Sequence, residues 1–204
     1  MSHDKLCNLV TLQPINHLPM AHIHLTEQLP GIRGLMAFRP LTAGPLNALA
    51  EVLLRTDEGL GMGERELIAT FVSSRNDCFF CQNIHGAVAQ YYFPEQEDLV
   101  LQVKENYRTA PLSEKMKALL AIAESVHLGG KAVTAEQVET ARSLGASDVD
   151  IHDTVLIAAA FCMFNRYVDG LATTTPDADN QPAWEAMGER MGTLGYVPPK
   201  RNDE

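Results

Sequence analysis

The stretch NDCFFCQNIHGAVA, Asn76 to Ala89, sets two cysteines in a C-x-x-C and a histidine four residues past the second. Asn76 or Asp77 suits a helix N-cap, because a short polar side chain can accept from the free amides of a first turn. Cys78 then opens that turn and Cys81 closes it. At about 100° per residue, Cys78, Cys81 and His85 fall within an arc of about 60°, with His85 roughly 6 Å along the axis from Cys81. An imidazole there can reach the thiol directly or through one water.

Working outward, helix follows helix. PLNALAEVLLR carries apolar residues at helical spacing, and GERELIATFVSS follows the connector EGLGMG. SEKMKALLAIAESVHLGG puts Leu119, Leu120, Ala123 and Val126 on one face and stops at two glycines. TAEQVETARSLG starts with a capping-box spacing, Thr134 and Gln137, and closes on Gly145. Ser147 and Asp150 open the last long segment in a similar way. No convincing alternating strand is visible, so the class is all-α. GLGMG resembles a phosphate loop only in glycine count: no strand precedes it and no Lys-Ser/Thr follows, so it reads as a flexible connector.

The expected layout is an irregular N-terminal arm over residues 1–40 and an all-helical domain over 41–204. Pro14, Pro19, Pro30 and Pro40 break any long helix in the arm. Its histidines, His17, His22 and His24, have no carboxylate or cysteine at ligand spacing and read as surface groups. An offset of 84 residues lays Cys78 on Cys162, Phe80 on Phe164, Gly86 on Gly170 and Thr70 on Thr154. This reads as a duplicated helical unit, about 42–93 and 113–175, whose second copy holds Asn165 for Cys81 and Asp169 for His85 and serves as scaffold.

The chain has 204 residues and a formal charge of −10, which argues against nucleic acid and anionic membrane as partners. No apolar leader opens it, and the longest apolar run, Val155 to Phe164, is about half a bilayer span. A cytoplasmic location is therefore expected. Four cysteines in a chain of this length are too few for a secreted disulfide scaffold.

In a reducing compartment a C-x-x-C serves redox chemistry or metal binding more often than structure. A helix N-terminus and a nearby imidazole both favour thiolate, the form that attacks a peroxide. The resulting sulfenic acid condenses with a second thiol to a disulfide, which an external dithiol reopens. His85 suits the proton transfer this requires, and Glu66 is its candidate partner if the chain folds back near Asn76-Asp77. Two other readings stand beside this one. Zinc could take Cys78, Cys81, His85 and Glu66, although no second knuckle is present. Inert packing is the other alternative for Cys78 and Cys81, and the reading preferred for Cys7 and Cys162. His127 and His152 read as surface groups, Trp184 as an anchor for the C-terminal tail, and Arg166 as a partner for Asp169 or Glu66.

Glu66, eleven residues, Cys78-Phe-Phe-Cys81, three residues, His85 resembles the E-x11-C-x-x-C-x3-H signature of AhpD-like alkylhydroperoxidases. These belong to the alkylhydroperoxidase / carboxymuconolactone decarboxylase superfamily. The core of the resemblance runs from about Leu41 to Ala89, and FNRYVDGLA with the repeat resembles the longer peroxidase-related branch. The resemblance implies a homo-oligomer, dimer, trimer or hexamer. It implies Cys81 as peroxidatic thiol, Cys78 as resolving thiol, and Glu66 with His85 as proton relay. The implied activity is reduction of organic hydroperoxides with electrons from a dithiol or lipoyl-type reductant protein. No flavin, haem or nicotinamide site is visible, so no cofactor is expected. Phe80 stands where well-studied members carry one more histidine, which implies a shorter relay and a greasier pocket. The alternatives are an acid–base lyase of the decarboxylase kind, which needs no second thiol, and a redox-sensing oligomer without turnover.

Overall fold

The computed structural model describes residues 21–56 and 58–197. Among these it holds nine α-helices, one 3-10 turn and no strand, in agreement with the all-α reading. Helix α1 (Ile32–Phe38) falls inside the stretch expected to be irregular. Pro30 and Pro40 flank this short helix, and Pro40 opens α2 (Pro40–Arg55), where its missing N–H costs nothing. Then come α3 (Met62–Arg75), α4 (Phe79–Tyr92), α5 (Leu99–Asn106), α6 (Glu114–Leu128), α7 (Ala135–Ser143), α8 (Asp148–Gly170) and α9 (Gln181–Leu194). No helix among the described residues is long and apolar enough to cross a membrane.

The caps follow from local sequence. Thr134 with Gln137, and Ser147 with Asp150, close reciprocal capping boxes at α7 and α8, and Ser113 accepts from the Met116 amide at α6. Trp184 is buried on α9, donates to the Asp177 carbonyl at 3.2 Å and packs against the rings of Phe79 and Phe80.

Helix α3 lies at the centre, with α4, α6 and α8 packed around it. Leu67, Ile68, Ala69, Phe71 and Val72 are fully buried, so it is apolar on nearly every side, as a central helix should be. It nevertheless carries two buried charges, Arg65 and Glu66. The Arg65 guanidinium donates from Nε to the Leu60 carbonyl at 2.9 Å and from Nη1 to Leu53 at 2.9 Å. Its Nη2 reaches the Glu58 carbonyl at 2.5 Å and Asp153 Oδ2 at 2.8 Å. A forked planar cation can serve four acceptors at once where an ammonium could not. The residues expected to form a flexible connector are thus clamped to the end of α2 and to α8.

The 84-residue offset pairs the α3–α4 hairpin with the single helix α8. Thr70 and Thr154 make the same contact, each donating its hydroxyl to the carbonyl four residues back, Glu66 at 2.8 Å and Asp150 at 2.7 Å. The two segments part where Asn76-Asp77 lies on Ala160-Phe161. Asn and Asp accept a left-handed turn, whereas Ala and Phe continue the helix.

Removing the Arg65 side chain leaves the Leu60 and Leu53 carbonyls without their donor in the interior and takes the guanidinium from half-buried Asp153 and the Glu58 carbonyl. Arg65→Ala should lower the unfolding free energy by roughly 3–5 kcal/mol in urea titrations. A loss below about 1 kcal/mol would show that the clamp contributes little.

Candidate active site

The site begins with the way α3 ends. Asn76 is its last near-helical residue, and Asp77 turns into the left-handed region with φ 57°. The Cys78 amide donates back to the Ser73 carbonyl at 3.0 Å and the Asp77 amide to Ser74 at 3.1 Å. This is a Schellman closure with aspartate in the place glycine usually takes. Asn76 holds it from the side. Its Nδ2 donates to Val72 O at 3.1 Å and Asn165 Oδ1 at 2.9 Å, and its Oδ1 lies 3.1 Å from His127 Nδ1. Asn165 in turn donates to Ser73 Oγ at 3.0 Å. His127 is therefore half-buried and tied to the turn, whereas His152 is exposed beside Asp153, as expected of a surface group.

The next residue already starts α4. Cys78 itself is the N-cap, in extended conformation, with no side-chain cap from Asn76 or Asp77. The expected helix start thus moves one or two residues along, and Cys81 sits at its third position, among amides that have no intrahelical acceptor. Both cysteines are free thiols and both are buried, Cys78 fully and Cys81 with 3% exposure. The Cys78 thiol neighbours Cys81 and the Asp169 carboxylate on α8. Its pKa is pushed far above the thiol range, first by the bond to Cys81, then by burial and by negative charge at Cys81. These causes favour the protonated form of Cys78.

Because the turn reverses the chain, α4 runs back along α3 and Glu66 meets His85. Glu66 Oε2 lies 2.8 Å from His85 Nδ1, and the carboxylate is 1% exposed. With Nδ1 donating to that carboxylate, Nε2 is the nitrogen left for proton exchange. The ring also packs edge-on against Phe161, centroids 4.6 Å apart.

One residue of the cluster was missed in the sequence. The Tyr196 hydroxyl donates to Glu66 Oε1 at 2.5 Å, lies 3.3 Å from His85 Nδ1, and its ring stacks on the imidazole at 5.9 Å. Its pKa is raised well above the tyrosine range by burial, then by the charge of Glu66 and the bond to it, so it stays a donor. Its placement is built by α9 and α2. A Cβ on Gly188 would lie 2.7 Å from the Ala87 carbonyl carbon, and one on Gly192 would lie 2.4 Å from the Tyr91 ring, so only glycine lets α9 approach α4 this closely. Arg55 then donates to the last carbonyls of α9, Met191 at 3.1 Å and Gly192 at 2.8 Å. Glu51 accepts from the Tyr196 amide at 2.6 Å. No local motif signals a tyrosine 130 residues from its partner.

Cys81, His85 and Tyr196 open onto one cavity of about 370 Å³, walled by α1, α2, α4, α8 and α9. Cys78 and Glu66 stand behind that wall. Phe80, just before Cys81, lines the cavity and packs on Trp184. Other candidates are not brought here. His22 and His24 are exposed, Arg166 donates to the Cys162 carbonyl and not to Asp169 or Glu66, and Cys7 and His17 lie outside the described residues. Among the described residues, no group of three or more His, Cys, Asp or Glu side chains is arranged to hold a metal ion.

Solved structures share this architecture. An uncharacterized peroxidase-related protein from Silicibacter sp. TM1040 is 30% identical with a TM-score of 0.67, over 74% of this chain and 78% of its own. The chain belongs to the AhpD-like, peroxidase-related family. A second AhpD-like structure is the alkylhydroperoxidase AhpD core of an uncharacterized peroxidase-related protein from Ralstonia eutropha JMP134. It is 25% identical with a TM-score of 0.73, over 89% of this chain and all of its own. No family model and no curated protein matches the sequence.

In this AhpD-like site the exposed edge belongs to Cys81 and the retained proton to Cys78. Limited iodoacetamide treatment at neutral pH, read by peptide mass, should label Cys81 at least about ten-fold faster than Cys78. Faster labelling of Cys78 would reverse the assignment. Asp77→Val should cost roughly 1–2 kcal/mol in urea unfolding, since a β-branched residue resists the left-handed turn, while Asp77→Gly should not destabilise.

Proposed function

We propose that this protein is a thiol peroxidase that reduces organic hydroperoxides through Cys81 and Cys78 and is regenerated by an external dithiol. The observation that carries the reading is the position of Cys81. It stands at the wall of an apolar cavity, with a protonated thiol on its inner side and the Glu66–His85 couple one helical turn away.

The steps balance without a cofactor. The Cys81 thiolate attacks the terminal peroxide oxygen, the O–O bond breaks, and the alkoxide takes a proton to leave as the alcohol. His85 is the group placed to deliver that proton, with Glu66 holding Nδ1 and Tyr196 holding the other carboxylate oxygen. Cys81 is now a sulfenic acid. The Cys78 sulfur attacks it, the S–OH bond breaks, and the hydroxide leaves as water with the Cys78 proton. A dithiol, free or carried by a lipoyl-type protein, reduces the disulfide by two exchanges and leaves as its own disulfide. The sum is hydroperoxide plus dithiol giving alcohol, water and oxidised dithiol.

Tyr196 bears on the shorter relay that Phe80 implies. It brings a second proton donor to Glu66 from the C-terminal segment.

Reduction of cumene hydroperoxide, with dihydrolipoamide as regenerant, tests the reading. Cys81→Ser should abolish turnover. Cys78→Ser should allow one turnover and then stop at a sulfenic acid that dimedone traps. Glu66→Gln and His85→Asn should lower kcat/KM by roughly 10²–10³-fold. Tyr196→Phe should cost about ten-fold, the scale of one hydrogen bond to a charged group. Full activity in Cys81→Ser would end the cysteine mechanism.

A further inference from the structure

The cavity in front of Cys81 carries a charge pattern that the proposed chemistry does not use. The chain has 26 acidic residues against 16 basic ones, yet the described residues that line this cavity include no aspartate or glutamate. They do include two arginines, Arg33 on α1 and Arg190 on α9. Neither makes an ion pair or a side-chain hydrogen bond with another described residue, in contrast to Arg65, which pairs with Asp153, and Arg142, which pairs with Asp148. Both arginines are exposed, whereas Cys81 and His85 are buried. The cations therefore mark the rim, and the sulfur lies at the inner end.

Between rim and sulfur the surface is apolar. Met36, Leu46, Ile84, Phe164, Met187 and Met191 contribute to it, and three of these are methionines, unbranched side chains that adapt to a flexible hydrocarbon. Asn47 adds a neutral polar group. About 370 Å³ is within the range of ordinary small-molecule sites.

From this arrangement we infer that the cavity binds a single-chain amphiphile with an anionic head, its hydrocarbon inside and its carboxylate against Arg33 and Arg190. The inference rests on the peroxidase reading only for the next step: the substrate class becomes the hydroperoxide of a long-chain carboxylic acid, with its O–O group carried along the chain to Cys81. An uncharged hydroperoxide such as that of cumene would fill the inner part and leave the arginines unused. On a chain of net charge −10, an anion needs such a local positive rim to enter.

The binding claim is testable without turnover, so its failure and the failure of the peroxidase reading are separable. Isothermal calorimetry of the full chain with decanoate and with 1-decanol compares the same hydrocarbon with and without the charge. Decanoate should bind roughly three- to ten-fold tighter at low salt, the scale of exposed ion pairs, and the gap should narrow in 0.5 M salt, as screening requires. In Arg33→Ala/Arg190→Ala the two ligands should bind alike, and Arg33→Lys/Arg190→Lys should restore most of the difference. Both positions are exposed, and unchanged helical circular dichroism checks that the variants fold. Equal affinity for the two ligands, binding of neither, or a preference that survives the double alanine change would each overturn the inference. A preference seen in a protein that fails to reduce any hydroperoxide would support the amphiphile site and sink the peroxidase reading alone.

Discussion

The reversal of the chain at Asn76-Asp77-Cys78 is the constraint on which the site depends. Three residues end one helix and begin the next. The Cys78 amide closes the last turn of α3, and the same residue is the N-cap of α4. A left-handed aspartate costs about 1–2 kcal/mol relative to glycine. The cost is offset by the network of Asn76, Asn165, Ser73 and His127, in which every partner but Ser73 comes from another part of the chain or from the turn itself. Once the chain turns here, α4 lies along α3, and Glu66 and His85 are brought face to face. A straight continuation, as in α8, would leave them on different sides of one long rod.

Glu66 shows what the interior demands of a charge. A carboxylate with 1% exposure must have both oxygens served, since water cannot serve them. His85 takes one and Tyr196 the other. This arrangement fixes the histidine tautomer, because Nδ1 is committed, and directs Nε2 to any exchange at the cavity wall. Arg65, the preceding residue, meets the same demand with four acceptors. Two adjacent buried charges of opposite sign, each satisfied by its own set of partners, hold α3 in one rotation about its axis. That rotation is what points Glu66 toward α4.

Helix α8, which the 84-residue offset lays on α3 and α4, meets the same centre. Asn165 and Asp169 stand in α8 where the first segment has Cys81 and His85, and they come back to the same place in space. Asn165 braces the turn and Asp169 lies beside Cys78. Phe161 and Phe164 form part of the cavity wall beside His85. Helix α8, which lacks the C-x-x-C, thus builds one side of the centre that Cys78 and Cys81 occupy.

Helices α2, α3, α4, α6, α7 and α8, the capping boxes of α7 and α8, and the C-x-x-C with His85 were legible because each rests on contacts within a few residues, whereas α1 falls in a stretch read as irregular and α5 and α9 were not read. The helix start was read one or two residues early, since Asn76 and Asp77 look like N-caps but are spent on closing α3. Glu66 was legible as a candidate from its spacing to Cys78, and its contact with His85 depended on the reversal. Tyr196 was not legible at all. It reaches Glu66 only because Gly188 and Gly192 let α9 press onto α4, and because Arg55 and Glu51 hold the segment that follows. The cavity and its two arginines belong to the same class, made by five helices whose residues are far apart in the chain. Short-range order is written in neighbouring residues, whose hydrogen bonds and spacing act over one or two turns. The carboxylate partners, the buried proton and the charge at the rim were decided by packing, because burial and close approach between distant segments exist only once the chain has folded.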